Sequence, residues 1–311
     1  MKIVMTGGRG FIGSAVARAI AGQGHQVVSL TRRPGAGHPG AGMMEVLWDG
    51  VTVDTWAEQL DGADAVINLA GEPIAGGRWT AERKARIIGS RLEAASALIA
   101  AVGRASKKPR VWINASAVGY YGDVPEGDVT ESSPAGVGFL SETCIRWESE
   151  ALKAQKIVQR VVLLRTGIVL GKNGGALPAM VLPFRFFAGG PLGSGRQWMS
   201  WIHIEDVVGL VLHALQRDDL DGPLNLSAPE PVRMREFSTE LGRAVARPSW
   251  LPVPAVALRL MLGEMSAMLL GGQRVIPAVA LATGYAFRYP ALAGALEEIF
   301  RTNNHDVKVR V

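Results

Sequence analysis

Cysteine occurs once in the 311 residues, at Cys144, which excludes an intrachain disulfide framework and a cysteine metal cluster. Histidine is almost as scarce, and His25, His38, His203, His213 and His305 show no paired spacing of the metal-ligand type. No metal site is expected. Tyrosine is limited to four residues, and no Lys/Arg run is interleaved with aromatics, so no nucleic-acid partner is expected. A membrane-crossing run is missing too. The most apolar stretch, residues 255–270, is interrupted by Arg259 and Glu264 and reads as an amphipathic buried helix. Met1-Lys2-Ile3-Val4-Met5 runs straight into a glycine turn, too short for the apolar core of a signal peptide. The expectation is a soluble, cytoplasmic protein without a membrane partner.

Glycine, by contrast, is abundant at 38 residues and follows no fixed period, which points to tight turns and close backbone approaches. The chain is 48% apolar and 20% charged, a globular balance, and its length allows one extended domain or two that share a cleft. The net charge of +5 suits ordinary solubility and leaves a few cations to meet an anionic ligand such as a phosphorylated cofactor.

Short β-rich runs alternate with helical segments. Strands are expected at residues 2–5, 26–30, 46–48, 65–69, 110–114 and 161–165. Helices are expected at 14–23, 55–60, 81–102 and 142–155. Such alternation specifies an α/β fold, a doubly wound Rossmann-type parallel sheet. Residues 1–170 form the cofactor-binding domain in this reading, and 203–222 return to it with a helix at 206–216. Residues 171–202 and 223–311, richer in glycine, proline and aromatics, form a smaller substrate-side lobe. The ligand crevice of such a sheet lies at the C-terminal strand ends, here the loops after Met5, Leu30, Leu69 and Asn114.

The first of these loops carries the chemistry most plainly. Thr6-Gly7-Gly8-Arg9-Gly10-Phe11-Ile12-Gly13 follows a strand and opens a helix. Gly7 permits the sharp turn, Gly10 lets backbone N–H groups approach a pyrophosphate, and Gly13 permits close helix–strand packing. Phe11 and Ile12 open the helix, whose N-terminus favours phosphate. An NAD site would place an acid after the second strand; this chain has Thr31-Arg32-Arg33 instead. A guanidinium binds a 2′-phosphate that a carboxylate would repel, so the expected cofactor is NADP(H). Arg9 offers a second positive contact. Leu69, Ala70 and Gly71 are expected along the ribose and nicotinamide side, and Arg91 either reaches the cofactor or is a surface charge. Residues 72–79 are placed to close over the nicotinamide.

At Thr6–Gly13, Asn68–Gly71 and Asn114-Ala115-Ser116 the chain resembles an extended short-chain dehydrogenase/reductase. Ser116-Ala117-Val118-Gly119-Tyr120-Tyr121-Gly122, Arg165-Thr166-Gly167-Ile168-Val169-Leu170-Gly171, Gly193-Ser194-Gly195-Arg196-Gln197 and Ser200-Trp201-Ile202-His203-Ile204-Glu205-Asp206 narrow this to atypical epimerase-like members. Gly271-Gly272-Gln273-Arg274-Val275 and Gly284-Tyr285 carry the resemblance over nearly the whole chain. It implies an NADP(H) fold, adds Val169 to the cofactor residues, and suggests a small-molecule substrate of nucleotide-sugar type; an oligomer is compatible with it.

Typical members use Tyr-x-x-x-Lys, the tyrosine as acid/base and the lysine to lower its pKa and hold the ribose. No tyrosine here has a lysine four residues on. Aligning Glu148 with the acid that usually follows the motif puts Leu140 and Cys144 at its two positions. What remains for catalysis is Ser116, near the family's active-site Ser/Thr, with Tyr121 or Tyr120 as a phenol whose pKa Arg146 would depress. Ser116 is equally suited to cap a turn, and each tyrosine to pack in the core. His203 reads as part of a strand-to-helix entry with Asp206 near the cap. Arg196 and Gln197 are expected to face the cleft. Two functions stay open: an NADP(H)-dependent oxidoreductase or epimerase, and a non-catalytic NADP(H)-binding sensor or scaffold.

Overall fold

A computed structural model describes residues 1–35 and 40–301. The Gly/Pro-rich stretch after Arg33, His38, His305 and the end of the C-terminal lobe run partly or wholly outside the described residues.

Seven parallel strands form the central sheet, in the order β11-β7-β5-β4-β1-β2-β3. They are β1 (Lys2–Thr6), β2 (Gln26–Thr31), β3 (Met43–Leu47), β4 (Ala65–Asn68), β5 (Val111–Ala117), β7 (Arg160–Thr166) and β11 (Gly222–Leu226). Alternate residues of each strand face opposite layers. Ile3, Met5, Ile67, Ile113 and Val162 pack beneath α1 (Phe11–Gly22) and α5 (Ile204–Gln216). Val4, Val66, Trp112 and Val161 pack beneath α2 (Ala81–Arg104) and α3 (Phe139–Leu152). The order of pairing reverses at β1, which lies between β2 and β4, and this reversal opens the crevice at the C-terminal strand ends.

Helix α2 shows why the local sequence folds as it does. Thr80 caps it by accepting from the Arg83 N–H, Glu82 sits in the first turn and Arg104 in the last, each favouring the helix dipole. Ile87, Arg91, Ala94, Ala95, Leu98, Ala101 and Val102 recur at helical spacing and form its buried stripe.

Three further strand pairs lie outside the central sheet. β6 (Val124–Val129) pairs with β13 (Gln273–Val275), β8 (Ile168–Leu170) with β10 (Trp201–His203), and β9 (Trp198–Met199) with β12 (Val232–Arg233). Helices α4 (Leu177–Arg185), α6 (Met234–Ala244) and α10 (Leu292–Phe300) enclose a separate apolar core around Phe184, Trp201 and Phe237, while the short α9 (Ala278–Ala282) packs on β11. β6 pairs with β13 outside the central sheet, and the central sheet takes in Gly222–Leu226 as its seventh strand, β11. Residues 255–270 are not one buried helix. Gly263, at φ +60°, ends α7 (Ala255–Leu262), and a 3₁₀ turn separates it from α8 (Ala267–Leu270). Val256, Leu260 and Met261 are exposed. No described helix is long and apolar enough to cross a membrane.

Buried hydrogen bonds tie the strand ends that border the crevice. The Thr6 hydroxyl donates to Asn68 Oδ1 at 2.7 Å, and Asn68 Nδ2 donates to Asn114 Oδ1 at 2.8 Å, joining β1, β4 and β5. Trp112 Nε1 also donates to Asn114, and the Thr6 hydroxyl oxygen accepts from the Leu69 and Ala70 N–H groups. The loop after β4 is thus held by β1. Asn68→Ala leaves Thr6 and Asn114 short of partners in the core and should lower the unfolding free energy by about 2 kcal/mol in urea denaturation, with an unchanged m-value.

Candidate cofactor and active site

The glycine loop has the shape of a phosphate cradle. Gly7 lies at φ +69°, and a Cβ there would stand 2.7 Å from the Leu69 carbonyl oxygen. A Cβ at Gly13 would overlap the Gly7 carbonyl. Both positions accept only glycine, and both bring backbone close to backbone. Gly10 is the N-cap of α1, with no side-chain cap and no acid in the first turn, so the N–H groups at Phe11 and Ile12 are left for an anion. The Phe11 ring does not face that position; it packs on Gly171, Gly174 and Gly175.

At the end of β2, Arg32 and Arg33 are exposed, and neither forms an ion pair among the described residues. The Thr31 hydroxyl accepts from the Arg33 N–H. Arg9 departs from expectation. Its guanidinium grips Glu45 of β3 through two hydrogen bonds of 2.7 and 2.6 Å, and Glu45 also accepts from the Gly35 N–H. Arg9 therefore clamps the glycine loop to the sheet instead of standing free as a second cation.

Arg91 is not a surface charge. Its side chain is buried, its guanidinium donates to the Glu72 and Ile87 carbonyls, and it stacks 4.8 Å from the Trp147 ring. A Cβ at Gly71 would stand 2.9 Å from its Cζ. Burial pushes this guanidinium below its ordinary value, since only carbonyls and nearby Cys144 and Glu72 favour its charge. Arg91 Nε and Trp147 Nε1 are buried donors without partners among the described residues. Orphaned donors beside Gly71, with the glycine cradle across the β1–β4 crevice, fit a dinucleotide. Leu69 and Ala70 line the same edge, half-buried, whereas Val169 packs in the core with Ile202 and Val207.

Residues 72–79 reach across to α7. Arg78 donates to the Leu260 and Met261 carbonyls at the end of α7, Lys84 pairs with Glu264, and Trp79 packs edge-on against Phe139. Arg196 and Gln197 line a cavity of about 920 Å³ with Asp123, Arg233 and Arg235. A second cavity, about 510 Å³, lies among Lys84, Ile88, Val137 and Phe139. Trp198 is half-buried under the Arg233 guanidinium, while Met199 and Trp201 belong to the core.

The expected catalytic neighbourhood is a buried polar hub. The Ser116 hydroxyl donates to Glu148 Oε1 at 2.6 Å, and Glu148 holds Arg165 through two hydrogen bonds of 2.9 Å. Arg165 Nη1 donates to the Tyr121 hydroxyl at 3.0 Å and to the Glu131 carbonyl, and Tyr121 donates to Asn225 Oδ1 at 2.7 Å. Glu131 in turn accepts from the backbone N–H groups of Asn225, Ala278 and Val279. Burial opposes the charge on Arg165, yet hydrogen bonds to Glu148 and Tyr121 outweigh it and hold the guanidinium above its ordinary value.

This corrects two expectations. Burial drives the Tyr121 phenol up to about 12, only partly offset by Arg165 and Asn225, so it is not a depressed acid/base. Arg146 lies on the exposed face of α3, paired with Glu142 at 3.1 Å, and the cation beside the tyrosines is Arg165. Tyr120 differs from Tyr121: it is half-buried, with its ring 3.6 Å from Arg165 Cζ. Leu140 packs against Gly119, and Cys144 is buried at the Ala117 carbonyl with its thiol pushed up to about 11, chiefly by burial and Glu148. His203 is structural. It caps α5 by accepting from the Glu205 N–H and faces Glu298, and burial lowers its pKa. Asp206 is buried on the Tyr285 hydroxyl and the Arg288 and Tyr289 N–H groups.

Residues 3–226 match the NAD dependent epimerase/dehydratase family, and residues 253–299 match a domain of unknown function, DUF1731. The chain belongs to the NAD dependent epimerase/dehydratase family. Within it, the chain is 42% identical over 311 residues to the Epimerase family protein SDR39U1 homolog, chloroplastic, of Arabidopsis thaliana, covering 97% of this chain and 87% of that one. It is 40% identical to the Epimerase family protein YfhF of Bacillus subtilis, covering 96% and 98%. A crystal structure of the human epimerase family protein SDR39U1 with NADPH superposes with a TM-score of 0.86 at 36% identity, covering 97% of this chain and all of that one.

The hub of this epimerase-family chain contains groups the sequence reading passed over. Arg165 stood in a quoted motif and Glu148 served only to align the missing pair, while Glu131 and Asn225 carried no local signal. Arg165→Met or Glu148→Leu alone strands a buried charge and should cost about 3–5 kcal/mol of stability in chemical denaturation. The double variant should recover most of that loss, a coupling read directly from the double-mutant cycle.

Proposed function

We propose that this chain binds NADP(H) across the C-terminal ends of β1, β2 and β4 and works as an oxidoreductase or epimerase on a small, nucleotide-sugar-like molecule. The observation that carries this reading is the pairing of the glycine cradle at α1 with two exposed arginines at the end of β2 that form no ion pair among the described residues, where no acid stands. The human relative solved with NADPH supports the same cofactor.

Gly7, Gly10 and the N–H groups at Phe11 and Ile12 hold the pyrophosphate, and Thr31, Arg32 and Arg33 receive the 2′-phosphate. Leu69, Ala70 and Gly71 lie along the nicotinamide-side ribose, Arg91 offers its unpartnered Nε there, and Val169 backs the nicotinamide side from β8. The bound cofactor supplies hydride exchange with a substrate carbon. Ser116 and Tyr121 position the site through Glu148 and Asn225, and Tyr120, the more accessible phenol, is the hydroxyl left to handle a substrate proton.

A second reading has its own observation. With Leu140 and Cys144 at the usual Tyr and Lys positions and the Ser116 hydroxyl committed to Glu148, the chain serves equally as a sensor that holds NADP(H) without turnover. Steady NADPH consumption, or substrate conversion without net NADPH change, with a panel of carbonyl compounds and nucleotide sugars would eliminate it.

In a fluorescence titration NADPH should bind at least about tenfold tighter than NADH, and Arg32→Asp should abolish that preference. Equal affinities would overturn the 2′-phosphate assignment. In turnover assays Tyr120→Phe should lower kcat with unchanged melting temperature, while Tyr121→Phe should lower the melting temperature.

A further inference from the structure

Residues 172–192 and 241–263 contain no aspartate or glutamate, yet they hold Lys172, Arg185, Arg243, Arg247 and Arg259. Arg243 pairs with Glu240, whereas Arg185, Arg247 and Arg259 form no ion pair among the described residues. The same segments carry a concentration of exposed apolar side chains. Phe186 is 75% exposed, Trp250 65% and Phe187 57%, with Leu182 and Leu251 beside them.

These residues make one surface. Trp250 Nε1 donates to the Phe187 carbonyl at 2.9 Å, the Trp250 and Leu251 N–H groups both donate to the Gly189 carbonyl, and the Arg247 guanidinium lies 4.8 Å from the Phe187 ring. Leu182 and Phe186 lie one turn apart at the end of α4. Phe187 follows at φ +59°, a left-handed position just past a helix that ordinarily favours glycine. An aromatic residue is held there against its backbone preference while its side chain stays in solvent. Phe186 and Phe187 sit at the end of α4 and on the loop that follows, and with Trp250 lie apart from the residues lining the two cavities described above. Exposed tryptophan and phenylalanine beside Arg185 and Arg247, with the neighbouring carboxylate Glu240 taken up by Arg243, match the headgroup region of an anionic bilayer in both polarity and charge.

We propose that this surface docks the protein peripherally on anionic phospholipid, with Phe186, Phe187 and Trp250 entering the headgroup–acyl boundary and Arg185 and Arg247 pairing with lipid phosphates.

Co-sedimentation of the full chain with phosphatidylcholine vesicles, with and without phosphatidylglycerol, tests this. Binding is expected on the anionic vesicles alone and should weaken as salt rises. Trp250 is the one tryptophan among eight that is mostly exposed, so its emission should shift to the blue on binding. Arg185→Gln and Arg247→Gln should each weaken binding about fivefold, and Phe186→Ser with Phe187→Gly at least about tenfold. Phe187→Gly alone should not lower the melting temperature, because it relieves the left-handed backbone; loss of binding then cannot be ascribed to misfolding. NADPH affinity should be the same in all these variants, which keeps the outcome separate from the cofactor assignment. No sedimentation at low salt, equal binding to neutral vesicles, or a concentration-dependent dimer that covers Trp250 and abolishes vesicle binding would each overturn the proposal.

Discussion

The arrangement around the ends of β5 and β7 depends on the buried pair of Arg165 and Glu148. Each charge is almost wholly removed from water, a cost of several kcal/mol per ion that Coulomb attraction alone does not return. The pair persists because its remaining hydrogen-bonding capacity is taken up: Ser116 by Glu148, and Tyr121 and the Glu131 carbonyl by Arg165. Through those contacts a single guanidinium on β7 fixes β5, α3, the turn after β5 and, by way of Tyr121 and Asn225, the edge strand β11. The hub is thus committed to holding strands in register.

The cofactor half of the molecule was largely legible in the sequence because its determinants are local. Gly7 and Gly13 sit where any Cβ would meet backbone, and the strand-turn-helix context spans only a dozen residues. The lack of an acid after β2 was likewise readable from three consecutive residues. Arg9 shows where such reading stops. A cation in the glycine loop looks like a phosphate ligand until Glu45, 36 residues away, is seen to hold it.

The polar hub was far less legible, since its residues meet only in three dimensions. Tyr121 and Ser116 were found by position in a strand-end motif, but their partners, Asn225 and Glu148, are 104 and 32 residues distant. Their environment could not be read from spacing, and so burial reversed the expected direction of the Tyr121 shift. The same limit applied to residues 255–270, where hydrophobicity suggested a single buried helix. Gly263 broke it, and the first half, α7, kept Val256, Leu260 and Met261 in solvent. Arg91 was undecidable between ligand and surface because helical periodicity places it on the buried stripe without revealing that it ends beneath Gly71.

The pairing of β6 with β13 bears on the order in which the chain folds. Residues 124–129, emerging midway through synthesis, have no strand to join until residues 273–275 arrive, and Glu131 waits equally long for the N–H groups of Ala278 and Val279. Contacts across so much chain carry a high closure cost and form late. The seven-stranded sheet has six of its strands by Thr166, whereas the edge of the hub is completed only when the last quarter of the chain docks. A chain truncated before β13 would therefore keep its glycine loop and lose two of the three N–H groups that Glu131 accepts from, a division of labour between early and late sequence that the folded form conceals.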